Sequence, residues 1–191
     1  MDAPLGHRVP VPPAPTHATI DVNRQNAAVS ALHGAEQAWR AQTVAAVLAA
    51  PQAYAPPVLA ALAAVLFAEG RRGEAAFWFY AAQLRARFDA NRCADPTAAG
   101  AVAVLTQRYG PEINRHAFAD RTALRATVER VVAWDREAAH DYDHRWINLH
   151  GMGAVTGSAA PLSRPEAEWP AIAERTRVEY LEGLDRALRG A

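Results

Sequence analysis

The densest run of reactive side chains is HDYDHRWINLHGM, which spans His140–Met152. His140 and His144 are four residues apart, so on a helix both imidazoles would face the same way. Asp141 directly follows the first histidine, where a carboxylate can serve as a general base, and His150 adds a third imidazole. Residue types at this spacing can hold a zinc ion and activate a water molecule for hydrolysis.

The pattern H-D-x-x-H-x-x-I-x-x-H resembles the metzincin protease signature H-E-x-x-H-x-x-G-x-x-H. The resemblance implies a zinc site formed by His140, His144 and His150, with Asp141 as the base. Two positions depart from the signature: Asp141 is one methylene shorter than glutamate, and Ile147 replaces the glycine that lets the chain turn sharply. A metal-dependent hydrolase is therefore the alternative hypothesis, and the preferred one has no metal and no cofactor.

We interpret the stretch instead as a polar corner that is tied to a helical core. A helix is predicted to end near His140, where an imidazole interacts favourably with the helix dipole. Trp146 has the largest apolar area, so it is expected to dock on the core with its indole N–H bonded to a backbone carbonyl. On this interpretation Trp146 matters to folding and the histidines do not.

If the corner also binds a partner, the contact is expected at its exposed polar side. Arg85 is added because it directly precedes the segment ARFDANRC, where arginines gather near one helix end. Those arginines are more simply explained by pairing with acids than by gripping a phosphate. The candidate binding residues are Asp143, His144, Arg145, Trp146 and Arg85.

Composition narrows the class of protein. About a quarter of the 191 residues are alanine, the strongest helix former, which favours an all-α fold. The formal net charge is zero, which argues against binding to nucleic acid or to anionic membranes. No apolar run approaches the roughly 20 residues that span a bilayer, so we expect no membrane insertion. Cys93 is the single cysteine, which excludes an internal disulfide, and we expect it to be structural.

Apolar residues at helical spacing predict an antiparallel helical-hairpin bundle of about six helices, which forms a single domain over residues 23–191. The segment 74–90 is apolar on two sides and is predicted to be the central helix, with Trp78 and Phe79 buried. The sequence GPEINRHAFA is expected to break the helix before it. The predicted helices are 35–50, 56–69, 74–90, 97–109, 121–139 and 163–188.

Helix ends are predicted from capping residues. Asp120 is a plausible N-cap, and Ser163 with Glu166 fits a capping box for the last helix. That helix carries a predicted buried stripe of Val178, Leu181, Leu184 and Leu188.

The hairpin at about Pro56–Ala90 resembles one tetratricopeptide-type unit. In that family a glycine ends the first helix, and an alanine, an aromatic residue and a second alanine follow at fixed spacing. Here these are Gly70, Ala75, Phe79 and Ala82. The spacing does not recur at 34 residues, so the resemblance covers a single hairpin and implies a helical unit that contacts other proteins.

Residues 1–22 hold five prolines within the first twenty positions and are predicted to be an extended or disordered tail. The N-terminus lacks the apolar core of a signal peptide, so we expect a cytoplasmic protein, or a periplasmic one if a signal has been removed. The sequence as a whole predicts a non-catalytic helical domain that binds another protein. A bacterial accessory or immunity-type protein that binds a toxin or effector fits this description.

Overall fold

The computed structural model describes residues 17–157 and 161–190, and this part of the chain is all-α, as predicted. Its β-structure is limited to an isolated antiparallel bridge between Cys93 and Ser163. Eight α-helices are present there, two more than expected, because α1 and the short α7 were not predicted as separate helices. They are α1 (Asn23–His33), α2 (Gln37–Ala49), α3 (Pro56–Ala68), α4 (Arg72–Arg92), α5 (Gly100–Ala117), α6 (Arg121–Glu137), α7 (Met152–Thr156) and α8 (Trp169–Gly190).

Helix α4 is the centre of the domain. It contacts α3, α5, α6 and α8, which explains why its sequence is apolar on two sides. Phe79 and Leu84 are almost completely buried. Trp78 is only half-buried and lies edge-on against Trp134, with ring centroids 5.3 Å apart. The prediction of burial is therefore confirmed for Phe79 and is too strong for Trp78.

Helices α3 and α4 pack along each other as the predicted hairpin. Pro56 and Pro57 occupy the first turn of α3, where a missing N–H costs nothing. Gly70 has a φ of 82°, which glycine adopts without strain, and the Arg71 N–H donates to the Leu66 carbonyl at 2.9 Å. The relation to tetratricopeptide units stays a prediction.

Helix α5 does not break after Tyr109, so that prediction is wrong. The helix continues through Pro111, which removes one backbone donor. Close packing on α4 offsets this loss: Ile113 is almost completely buried, and Gly110 lies directly against the ring of Phe79. A Cβ atom at Gly110 would come within 2.9 Å of the Phe79 Cζ. Tertiary packing thus overrides the helix-breaking residues.

One predicted cap is confirmed and one is wrong. The Asp120 side chain accepts a hydrogen bond from the Ala123 N–H at 2.9 Å and caps α6. Ser163 and Glu166 do not form a capping box, because α8 begins only at Trp169, after a short 3₁₀ turn. The Ser163 hydroxyl bonds to a histidine instead, as described below.

The buried face of α8 differs from the predicted stripe. Val178 is 47% exposed, whereas the predicted leucines are partly buried against the core. The residues that are fully buried on this helix are Ile172, Thr176 and Tyr180.

The described chain begins inside the segment that was predicted to be a tail. His17–Thr19 form a 3₁₀ turn, and both His17 and Ile20 are buried. Residues 1–16 lie outside the described residues, so the prediction for most of the tail falls there. None of the described helices is long and apolar enough to cross a membrane.

Replacing Gly110 with alanine tests the contact between α4 and α5. Alanine is the better helix former by up to about 1 kcal/mol, but overpacking against a buried ring costs about 1–3 kcal/mol. We expect Gly110→Ala to lower the free energy of unfolding, measured with urea, by about 1 kcal/mol. Gly100→Ala is the matched control on the same helix, because nothing lies within 4 Å of its added Cβ. An equal gain in stability for both variants would contradict the close contact.

Candidate functional site

Within the corner, His144–His150 form a 3₁₀ helix that is separate from α6. Asp143 caps it by accepting a hydrogen bond from the Arg145 N–H at 3.0 Å. The same carboxylate takes two more bonds from the Arg145 guanidinium, at 2.8 and 2.7 Å. Asp143 and Arg145, two of the candidate binding residues, therefore pair with each other.

A buried carboxylate, Asp89 of α4, attaches this corner to the core. The Trp146 indole N–H donates to the Asp89 Oδ2 at 2.7 Å, and the Tyr142 hydroxyl donates to the same oxygen at 3.1 Å. Arg92 forms an ion pair with the other oxygen, Oδ1. Trp146 is buried as predicted, but the acceptor of its N–H is a carboxylate and not a backbone carbonyl.

Asp89 has no exposed surface. Burial raises the pKa of its carboxyl, and the Arg92 guanidinium and the Trp146 indole N–H offset this increase only in part. The same burial, with the Asp89 charge adding to it, raises the pKa of Tyr142 well above its ordinary value. The Tyr142 hydroxyl consequently keeps its proton and remains a donor.

A second buried carboxylate, Asp135 of α6, lies at the start of the corner. It accepts from the Arg85 Nε at 3.0 Å, from the Arg177 Nε at 2.9 Å and from the His140 Nε2 at 3.1 Å. Burial alone would raise the pKa of Asp135, but His140, Arg85 and Arg177 together bring it below the ordinary value. Three elements, α4, α6 and α8, are joined through this one side chain.

Arg85 is therefore not a surface binding residue. Its side chain has no exposed area, and its guanidinium lies 4.2 Å above the Trp134 ring. The prediction that Arg85 pairs with an acid is confirmed. The prediction that Arg85 is open to a binding partner is wrong. Sequence could not locate it because its partner, Asp135, is 50 residues away.

The three histidines of the alternative hypothesis do not converge. His140 bonds to Asp135, whereas the His144 Nε2 lies 2.8 Å from the Ser163 Oγ. His150 packs edge-on against Trp146. No group of three histidine, cysteine, aspartate or glutamate residues within the described ranges is placed to hold a metal ion. The helix that would align His140 with His144 ends at Glu137, which removes the basis of the zinc signature.

The His144–Ser163 pair was not predicted, and its electrostatics favour a structural role. Burial and the nearby charge of Arg92 together lower the pKa of His144 to about 4, so the imidazole is neutral and weakly basic at pH 7. Asp143, the neighbouring acid, is bonded to Arg145. The pair holds the segment before α8 against the corner.

Cys93 also contacts the corner. It is buried, and its sulfur accepts a hydrogen bond from the Asn148 side chain at 3.1 Å. Burial raises the pKa of the Cys93 thiol, so the reactive thiolate is disfavoured. These contacts agree with the predicted structural role.

A groove opens beside the corner. It has a volume of about 380 Å³, within the usual range for binding sites. Its floor is the start of α3, and its walls come from α1, from α5 and from the 3₁₀ helix of the corner. The lining residues are Val22, Gln25, Asn26, Val29, Ala55, Pro57, Ala101, Val104, Leu105, Arg108, Tyr109, Trp146, Leu149 and His150.

The groove contains few of the predicted site residues. Trp146 and His150 line it, whereas Asp143, His144 and Arg145 do not. Val104 and Arg108, which do, were missed because each looks in sequence like an ordinary surface residue of a helix. The 60% exposure of Val104 at the groove is visible only in the structure.

No protein-family model, curated protein or solved structure matches this chain.

Replacing Asp135 with asparagine tests the buried charge cluster. Arg85 and Arg177 would keep their charges without a counter-ion, and breaking such a pair costs about 3–5 kcal/mol. We expect that loss in the free energy of unfolding at pH 7. Asp185→Asn is the control, because the pair between Asp185 and Arg125 is solvent-exposed and is worth at most about 1 kcal/mol.

The difference between wild type and Asp135→Asn should also depend on pH with a defined sign. Because the pKa of Asp135 is lowered by folding, its stabilisation is complete above the unfolded value of about 3.9 and disappears as the pH falls through the folded value. Urea titrations should therefore show a constant difference near neutrality and a shrinking one below about pH 4. A difference that grows on acidification would show that the carboxylate is not stabilised by these cations.

Proposed function

We propose that this protein is a non-catalytic α-helical interaction domain that binds another protein in the groove between α1 and α5. The observation that carries the proposal is the position of Val104. Its side chain is 60% exposed at a concave surface whose other walls are largely apolar. Exposed apolar surface at a concave site is characteristic of a binding surface, because its burial by a partner is favourable.

The walls of the groove are held in place before any partner binds. Trp146 is anchored to Asp89, and Gln25 bonds to the backbone of Ala53 and Ala55, which fixes α1 at the start of α3. A preformed site loses less conformational entropy on binding than a flexible one. This rigidity supports recognition by the groove.

The reactive side chains of the corner support a non-catalytic role. His140, His144 and Asp143 are each bonded to another side chain of the corner or core. None of them lines the groove. Within the class of interaction domains, we propose an accessory or immunity-type role, in which the domain binds a toxin or effector. The sequence motivates this choice, since it pairs a compact helical domain with no intact catalytic motif.

Capture experiments with two matched variants test the proposal. Val104→Asp places a charge in the groove, and Val178→Asp places one at an exposed valine on α8, away from it. Tagged wild type and both variants, checked for equal urea stability, are incubated with extract of the native host. We expect wild type and Val178→Asp to retain one protein. Val104→Asp should retain at least about tenfold less of that protein. Equal retention by Val104→Asp would refute the groove as the binding site.

A further inference from the structure

The charge of the groove indicates what its partner carries. Among the fourteen lining residues there is one arginine, Arg108, and there is no aspartate or glutamate. His150 also lines the groove, but burial lowers the pKa of its imidazole, so it is neutral at pH 7. Arg108 therefore supplies the one positive charge at the rim of the groove, beside its apolar walls.

Arg108 lacks an acidic partner within the described part of the chain. Its guanidinium lies over the ring of Tyr109, 5.3 Å from the centroid, and both residues line the groove. Glu112 is one helical turn further along α5, where it could pair with Arg108. Its carboxylate is instead bonded to Arg115 at 2.8 Å. The five donors of the Arg108 guanidinium are thus available to a ligand.

His33, which lies near Arg108, does not add a second positive charge to the groove. The His33 Nε2 is 2.8 Å from the Tyr109 hydroxyl, and the two rings are stacked. Burial lowers the pKa of His33, and the charges of Arg108 and Arg40 lower it further. His33 is consequently neutral at pH 7, and Arg108 is the permanent charge of the rim.

We propose that the partner inserts an apolar side chain into the groove and places a carboxylate from the same short segment on Arg108. This inference rests on the proposed function, since it names the chemistry of the protein that binds there. A guanidinium and a carboxylate form a charge-assisted, bidentate pair, which gives direction to an otherwise non-directional apolar contact. The occupant is an acidic and apolar protein segment.

Selection from a random peptide library displayed on phage tests the inference without knowledge of the partner. Wild type and three variants are used as bait: Arg108→Gln, Val104→Asp and the control Arg130→Gln. Arg130 is a matched control because it is exposed on α6 and lies outside the groove. We expect wild type and Arg130→Gln to enrich peptides that combine an acid with a large apolar residue.

The affinity of the enriched peptides should depend on both Arg108 and Val104. Arg108→Gln should weaken a peptide about five- to tenfold, and replacing its acid by the matching amide should weaken binding to wild type equally. The loss of affinity caused by Arg108→Gln should be smaller at 1 M salt, because exposed charges are screened there. Val104→Asp should abolish binding.

Three other outcomes would contradict the acidic partner, the binding groove, or both. Peptides that depend on Val104 but bind Arg108→Gln as tightly as wild type would overturn the acidic partner and leave the interaction groove intact. If no enriched peptide depends on Val104, the groove itself is refuted. A wild type that forms dimers while Val104→Asp is monomeric would identify a second copy of the chain as the occupant, against the inference.

Discussion

The buried carboxylate of Asp89 is the constraint on which the corner and the groove depend. A charge without exposed surface must be neutralised and hydrogen-bonded, or it would oppose folding. Arg92 supplies the opposite charge, and Trp146 and Tyr142 supply two donors. Because both donors come from the corner, satisfying Asp89 requires the corner to dock in one orientation. A carboxylate in the core thereby positions a loop at the surface.

Asp135 repeats this arrangement on the neighbouring helix and extends it to α8. Such clusters add little net stability compared with apolar packing, because each charge loses its hydration on burial. Their effect is to specify geometry, since an unpaired partner in any other arrangement would be costly. In this domain the geometry that they specify includes one wall of the groove, which Trp146 and Leu149 form. The polar core therefore connects the fold to the proposed binding site.

Sequence predicts the helical fold well and the site poorly, for a physical reason. Helix periodicity and caps are local, so the all-α class, the central helix and the Asp120 cap could be predicted. The contacts that make the site are not local: Trp146 finds Asp89 across 57 residues, and His144 finds Ser163 across 19. Local rules also failed at Pro111, where packing through Gly110 keeps α5 continuous. The histidine spacing indicates a metal site only if one helix carries both His140 and His144. Helix α6 ends at Glu137, before either of them.

A double-mutant cycle between Asp89 and Trp146 measures how strongly the buried carboxylate holds the corner. Asp89→Asn, Trp146→Phe and the double variant are unfolded in urea at pH 7, and the coupling free energy is obtained from the four stabilities. Trp146→Phe keeps an aromatic ring but removes the N–H donor together with part of the buried indole. The cavity that it leaves, and the charge that Asp89→Asn leaves unpaired on Arg92, each occur in one single variant and in the double variant, so both cancel in the cycle. We expect a coupling of about 1–3 kcal/mol, the range for a buried hydrogen bond to a charged group. Additivity within about 0.5 kcal/mol would show that Asp89 does not hold the corner.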